Sequence, residues 1–171
     1  MVIKQILVPI DFSPNSMRAL EYAIDFAKPF KARMSILFVV EPIYYAVPDF
    51  TGGAAMGQLL TEQLANARAQ LLRLEQQYAK RRIKVRALLQ SGSAYDSIVA
   101  AAKQCKAHLI IMATHGRTGV SHLLLGSVAE RVVRTAPCPV LTLRPGQGPR
   151  ARARTRRAQP ARRRRARAAR R

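Results

Sequence analysis

Five short strand-like runs, at residues 2–8, 34–40, 83–89, 109–113 and 140–143, mostly apolar and with some alternation in the third, alternate with longer segments whose apolar side chains recur at helical spacing. A strand with one face in water alternates polar and apolar residues, whereas a run that is apolar throughout must be covered on both faces. Regular strand–helix alternation of this kind leaves little choice of architecture. The expected fold class is α/β, a parallel sheet with helices packed on both sides.

Punctuation residues set the expected element ends. The first strand runs up to Pro9, and Ser13-Pro14 starts a helix, with a hydroxyl at the cap and proline at the first helical position. Met17, Leu20, Ile24 and Ala27 mark its buried face, and Pro29 is expected to close it. Residues 42–57 read as a loop, because Pro42, Pro48, Gly52, Gly53 and Gly57 interrupt any period. Its aromatics Tyr44, Tyr45 and Phe50 suit either a cover over a bound base or packing onto the body or a second copy. Leu60, Leu64, Ala67, Leu71, Leu74 and Tyr78 share one face of a long helix that ends in Lys80, Arg81 and Arg82. Ser93-Ala-Tyr-Asp96 resembles a capping box and opens a helix through Cys105. Residues 114–125 read as a loop, and Gly126-Ser127 opens a fourth helix before Pro137, Pro139 and the last strand.

Charge separates the chain into two parts. Residues 1–144 hold 18 Lys/Arg and all 9 Asp/Glu, 18 − 9 = +9, while residues 145–171 hold 12 Arg and no acid, giving +12 of the total +21. The domain is therefore placed at 1–145 and an Arg/Ala-rich tail at 146–171, read as disordered because Ala and Pro are its only apolar residues. Three readings of the tail stay open. These are non-specific polyanion or nucleic-acid contact through residues 150–171, a solvated appendage, and a frame extension in GC-rich DNA, whose codons favour Arg, Ala, Pro and Gly. No apolar run is long enough to span a bilayer and no basic-then-apolar leader opens the chain. The two cysteines, Cys105 and Cys138, form no disulfide framework, so a cytoplasmic setting is expected. His108, His115 and His122 lack the thiol or carboxylate company of a structural metal site, and no metal site is expected.

In an open parallel sheet, ligands bind beyond the strand C-termini where strand order reverses. There the sequence brings Pro9 and Asp11 after the first strand, Val40 at the end of the second, and Met112-Ala113-Thr114-His115-Gly116-Arg117-Thr118-Gly119 after the fourth. Gly126 and Ser127 add unpaired amides and a hydroxyl at a helix N-terminus, which favours phosphate. Taken singly, such glycines are turn formers and such a serine is a cap. There is no Gly-x4-Gly-Lys-Ser/Thr loop and no Gly-x-Gly-x-x-Gly, which argues against P-loop chemistry and a dinucleotide dehydrogenase. No base is placed to activate water, so no catalytic residue is assigned.

The runs ILVPIDFSPNSMRALEYAIDFA and LIIMATHGRTGVSHLLLGSVAERVVRTAPCPVLTLRP, with the strand–helix order between them, resemble the universal stress protein family over roughly residues 1–145. The nucleotide-binding branch carries Gly-x2-Gly-x9-Gly-Ser/Thr. Here Gly116, Gly126 and Ser127 match it, and Ala113 stands at the first glycine. The resemblance implies a Rossmann-like (adenine nucleotide alpha hydrolase-like) three-layer sandwich of five parallel strands and four helices. It further implies homodimerisation partly through the last strand, and ATP, with Mg, in the crevice. Ligand contacts would be Pro9, Asp11, Val40, Met112 through Gly119, Gly126, Ser127 and Val128. Asp11 and Val40 would serve the adenosine, and Gly116, Arg117, Gly126 and Ser127 the phosphates. The function implied is a cytoplasmic stress-response module with at most slow hydrolysis. A dimeric scaffold of the same fold with an empty cleft is the alternative. Gly126→Val is expected to abolish nucleotide binding and spare the fold.

Overall fold

The structure, a computed structural model, describes residues 2–42, 52–115 and 125–144, with no account of the side chains of 52–56. Its elements are β1 (Gln5–Ile10), α1 (Pro14–Phe30), β2 (Arg33–Val40), α2 (Gly52–Lys80), β3 (Val85–Ser91), α3 (Ala94–Gln104), β4 (Leu109–Ala113), α4 (Ser127–Thr135) and β5 (Val140–Leu143). All five strands are parallel, in the order β3-β2-β1-β4-β5. The expected five-stranded, four-helix α/β sandwich is what forms.

Side-chain alternation sorts the apolar runs onto two faces. Ile6, Val8, Ile36, Phe38 and Ile111 pack with Leu20, Ile24, Leu71 and Tyr78 of α1 and α2. Leu7, Leu37, Ile110 and Met112 pack with Ile98, Ala101 and Val132 of α3 and α4. The two clusters explain why these strands tolerate no polar face.

Several element ends differ from the sequence expectation. Strand β1 continues through Pro9 to Ile10, in register with Leu37 and Phe38 of β2, and starts only at Gln5. Pro29 lies inside α1 rather than closing it, and the helix runs only one residue beyond it, to Phe30. Helix α2 starts at Gly52, inside the stretch read as loop, because each added residue gains a bond once the helix is under way. Strand β3 runs from Val85 to Ser91, two residues later than expected. The amide of Ile83 turns back to the Tyr78 carbonyl at 2.9 Å, and pairing with β2 extends to Val40↔Ser91.

Three of the four helices end in the same device. Lys31, Arg82 and Lys106 take left-handed φ values of 51°, 59° and 51°. Their amides return to Lys28, Ala79 and Lys103, and the next amides, of Ala32, Ile83 and Ala107, reach Ala27, Tyr78 and Ala102 at 2.9–3.1 Å. These are Schellman turns, in which glycine is the usual left-handed residue. A side chain in that conformation costs roughly 1–2 kcal/mol.

Tertiary polar contacts are few and specific. Glu21 of α1 accepts from the Tyr78 hydroxyl at 2.9 Å and pairs with Arg81 at 2.9 Å, joining α1 to the end of α2. Glu75 accepts the Ala87 amide at 2.6 Å, which satisfies an outward N–H of edge strand β3. Among the described residues no helix is long and apolar enough to cross a membrane.

Candidate functional site

Strand order reverses between β1 and β4. One neighbour of β1 follows it through α1, while β4 arrives from β3 by way of α3. The crevice beyond these two strand ends is the place this topology provides for a ligand.

The β1–α1 turn is held by its own side chains. Asp11 accepts the Ser13 amide at 3.0 Å, and the Asp11 amide donates to Ser16 Oγ at 3.2 Å. Ser13 caps α1 by accepting the Ser16 amide at 3.2 Å. The carboxylate of Asp11 is thereby fixed beside the crevice rather than swinging freely. Between them Phe12 sits at φ 60°, its ring 5.0 Å from Phe38. A bulky residue in that region is an outlier, and such outliers concentrate at functional turns. Nothing in the sequence marks Phe12, since the strain arises from the turn and not from residue type.

At the end of β2, Val40 is buried in the α1/α2 cluster, and its carbonyl accepts the Gly92 amide at 2.9 Å. Gly92 has φ 130°, open to glycine and strained for other residues. Pro9 is buried in β1 and Met112 in β4, where Met112 packs under α3 and α4. Ala113 pairs with Leu143 in β4, is absent from the left-handed positions, and packs against the α1/α2 cluster.

Thr114 organises the rest. It is 2% exposed; its amide donates to the Leu143 carbonyl at 2.9 Å and its hydroxyl to the same oxygen at 3.3 Å. Its Oγ1 also lies 2.8 Å from His115 Nδ1. The Thr114 carbonyl accepts the Gly126 amide at 2.8 Å. A Cβ on Gly126 would stand 2.6 Å from that oxygen. Two sequence expectations are corrected here. The Gly126 N–H is not unpaired, because it is donated to Thr114. Gly126→Val does not leave the fold untouched, because its side chain meets backbone.

What remains for an anion is the first turn of α4. Gly126 is its N-cap, with φ −69° and ψ 151°, and a glycine has no side chain to accept from the next amides. The amides of Ser127, Val128 and Ala129 thus lack intrahelical acceptors, and the positive end of the helix dipole points the same way. Ser127 is exposed, whereas Val128 packs its side chain into the α3/α4 cluster and offers only backbone. Glu130 in the same turn is paired with Arg134 at 2.7 Å. Gly116, Arg117, Thr118 and Gly119 lie outside the described residues, as do Tyr44, Tyr45, Phe50, His122 and the Arg-rich tail. Among the described residues no group of three or more His, Cys, Asp or Glu is arranged to hold a metal ion. Cys105 and Cys138 are unbridged, half-buried thiols, and burial pushes both above the ordinary thiol range.

This sheet order, with a glycine-capped helix at the strand-order reversal, is that of a doubly wound α/β protein. The model of the Universal stress protein family matches residues 3–144, and the chain belongs to that family. Universal stress protein MJ0531 of Methanocaldococcus jannaschii is 37% identical over 144 residues, covering 82% of each chain. The solved structure of universal stress protein UspA from Lactobacillus plantarum superposes with a TM-score of 0.74 at 26% identity, covering 84% of this chain and 99% of that one. Two further solved members share the fold at 22% and 21% identity, with TM-scores of 0.55 and 0.57. One is in complex with cAMP and the other, from Archaeoglobus fulgidus, with dAMP; each match covers 98% of the solved chain and 84% or 83% of this one.

Proposed function

We propose that this universal stress protein binds ATP in the crevice between the C-terminal ends of β1 and β4. It works in the cytoplasm as a homodimeric, nucleotide-dependent stress-signalling module with at most slow hydrolysis. The observation that carries the reading is the α4 N-terminus. The Gly126 contact with Thr114 anchors that helix at the strand-order reversal and leaves the next three amides without helical acceptors. Asp11, locked by Ser13, supplies an acceptor for the ribose or base. Asp11 is the carboxylate at the crevice that would help hold a Mg2+ ion accompanying the triphosphate, an ion commonly held by one or two carboxylates and phosphate oxygens. The methyl group of Ala113 packs toward the α1/α2 core and the residue is not among the left-handed positions, which supports a nucleotide in the crevice despite the departure from the motif glycine. Related solved members of the fold that hold cAMP and dAMP support the ligand class.

Ser127→Asp tests the reading without the defect of a Gly126 variant. A carboxylate at the first helical position favours the helix dipole by about 0.3–1 kcal/mol, so the fold is retained. It also places negative charge where phosphate would lie. Calorimetry with Mg·ATP is expected to show affinity at least tenfold weaker than the parent, with an undiminished melting temperature. Equal affinities would reject the site.

A further inference from the structure

We propose that the end of the molecule opposite the crevice is a sequence-nonspecific docking face for the phosphodiester backbone of nucleic acid. In this fold the helix C-termini and the strand N-termini meet at one end, and basic residues outnumber acids there, Glu21 and Asp25 being paired with Arg81 and Lys28. All seven lysines of the chain, Lys4, Lys28, Lys31, Lys80, Lys84, Lys103 and Lys106, fall there, joined by Arg33, Arg81 and Arg82. The crevice end carries Asp11, Glu41, Asp96 and Glu130.

Three features separate this face from ordinary surface charge. First, most of its cations are without an ion pair. The three ion pairs among the described residues use Lys28, Arg81 and Arg134, and Lys4, Lys31, Arg33, Arg82, Lys84, Lys103 and Lys106 take part in none of them. All seven are exposed.

Second, its cations are fixed to the ends of a rigid sheet. The Arg33 amide donates to the Lys4 carbonyl at 2.9 Å, and Met34↔Val85 pairing sets Arg33 beside Lys84. Neighbouring strands lie about 4.8 Å apart, so Lys84 and Arg33 are adjacent charges on one sheet face, while Lys4, one residue out of register because Gln5 pairs with Arg33, adds a cation on the other face of the same end. That spacing suits a polymer with a dense line of phosphates, and neutralising such phosphates releases counterions.

Third, Lys31, Arg82 and Lys106 hold the left-handed positions of three Schellman turns, where glycine meets no steric penalty. Each is followed two residues later by another basic group, as Lys31-Ala32-Arg33, Arg82-Ile83-Lys84 and Lys106-Ala107-His108. Helix dipoles account for cations in the last helical turns, Lys28, Lys80 and Lys103. They do not account for cations placed against backbone preference, nor for Arg33, Lys84 and Lys4 on the strand side. Val2, Phe30 and Val133 are the large apolar residues exposed at this end among the described residues, each on a separate segment, and α1 and α2 turn their apolar stripes to the sheet. That leaves no amphipathic face for insertion into a bilayer, and favours nucleic acid over membrane.

The test measures binding of the full chain to a mixed-sequence DNA duplex by fluorescence anisotropy across a salt series. Because the arginines of residues 145–171 stay in place, the readout is the change in the slope of log K against log salt. The triple variant Lys31→Gly, Arg82→Gly, Lys106→Gly keeps the turn geometry and is expected to melt no lower than the parent. Its slope should become shallower by about 2–3, following roughly 0.9 per lost phosphate contact. The strand-side pair Arg33→Gln, Lys84→Gln should flatten it by about 2, which separates a docking role from any peculiarity of the turns. Unchanged slopes in both variants would overturn the proposal. So would loss of binding to phosphatidylserine-containing vesicles with the duplex slope unaltered, which would assign the face to membranes.

Discussion

A methyl group at residue 126 has nowhere to go: it would sit 2.6 Å from the carbonyl oxygen of Thr114, whose own side chain and amide are tied to Leu143. Gly126→Ala is therefore expected to destabilise the protein by about 1–3 kcal/mol, the range of overpacking, as measured by urea unfolding. A variant as stable as the parent would show that the end of β4 and the start of α4 do not touch as described. The sequence made Gly126 legible as a residue of interest, through its position before a serine and an apolar helix. The reason that it must be glycine was not legible, because the obstructing oxygen belongs to a residue twelve positions earlier, brought close only by the βα turn. Phe12 is the converse case. Its strain follows from the turn that Asp11, Ser13 and Ser16 lock, and a phenylalanine after an aspartate carries no warning of it.

Elements were legible where hydrophobic runs were unbroken, and their ends were not. Strand β4 and strand β5 coincide with the runs at 109–113 and 140–143, β4 covered on both faces and β5, at the sheet edge, half-covered. The boundary between α2 and β3 shifted because the Ile83 amide is taken by Tyr78, a contact that depends on a left-handed Arg82. The same junction ties α2 to α1. Burial, and after it the hydrogen bond to Glu21, hold the Tyr78 hydroxyl well above the ordinary tyrosine range. The neutral phenol is thus favoured in the folded state, and its contribution is complete below about pH 10, where the unfolded tyrosine is also protonated. As pH climbs above 10 the unfolded chain releases this proton first, so stability falls with rising pH. Melting temperatures between pH 8 and 11 should drop more steeply for the parent than for Tyr78→Phe. Parallel curves for the two proteins would show that this tyrosine is not a source of alkaline instability.

At the scale of the whole molecule, the alternation of runs established the layered α/β class but not the strand order. That order depends on α3 carrying the chain across β2 and β1 to place β4 on the far side of β1. The crossover creates the crevice, and the direction of the strands then places all seven lysines at the end opposite it. The candidate site was legible as a set of segments converging on strand ends. Its internal wiring, in which Thr114 rather than a ligand takes the Gly126 amide, needed the third dimension. The central claim is that the first turn of α4 receives the phosphates of ATP. Crystals soaked in millimolar Mg·ATP test it most directly. Phosphate density within hydrogen-bonding distance of the Ser127 and Val128 amides is the predicted result, and ordered solvent alone at that helix end, with no rise in melting temperature on adding nucleotide, would contradict it.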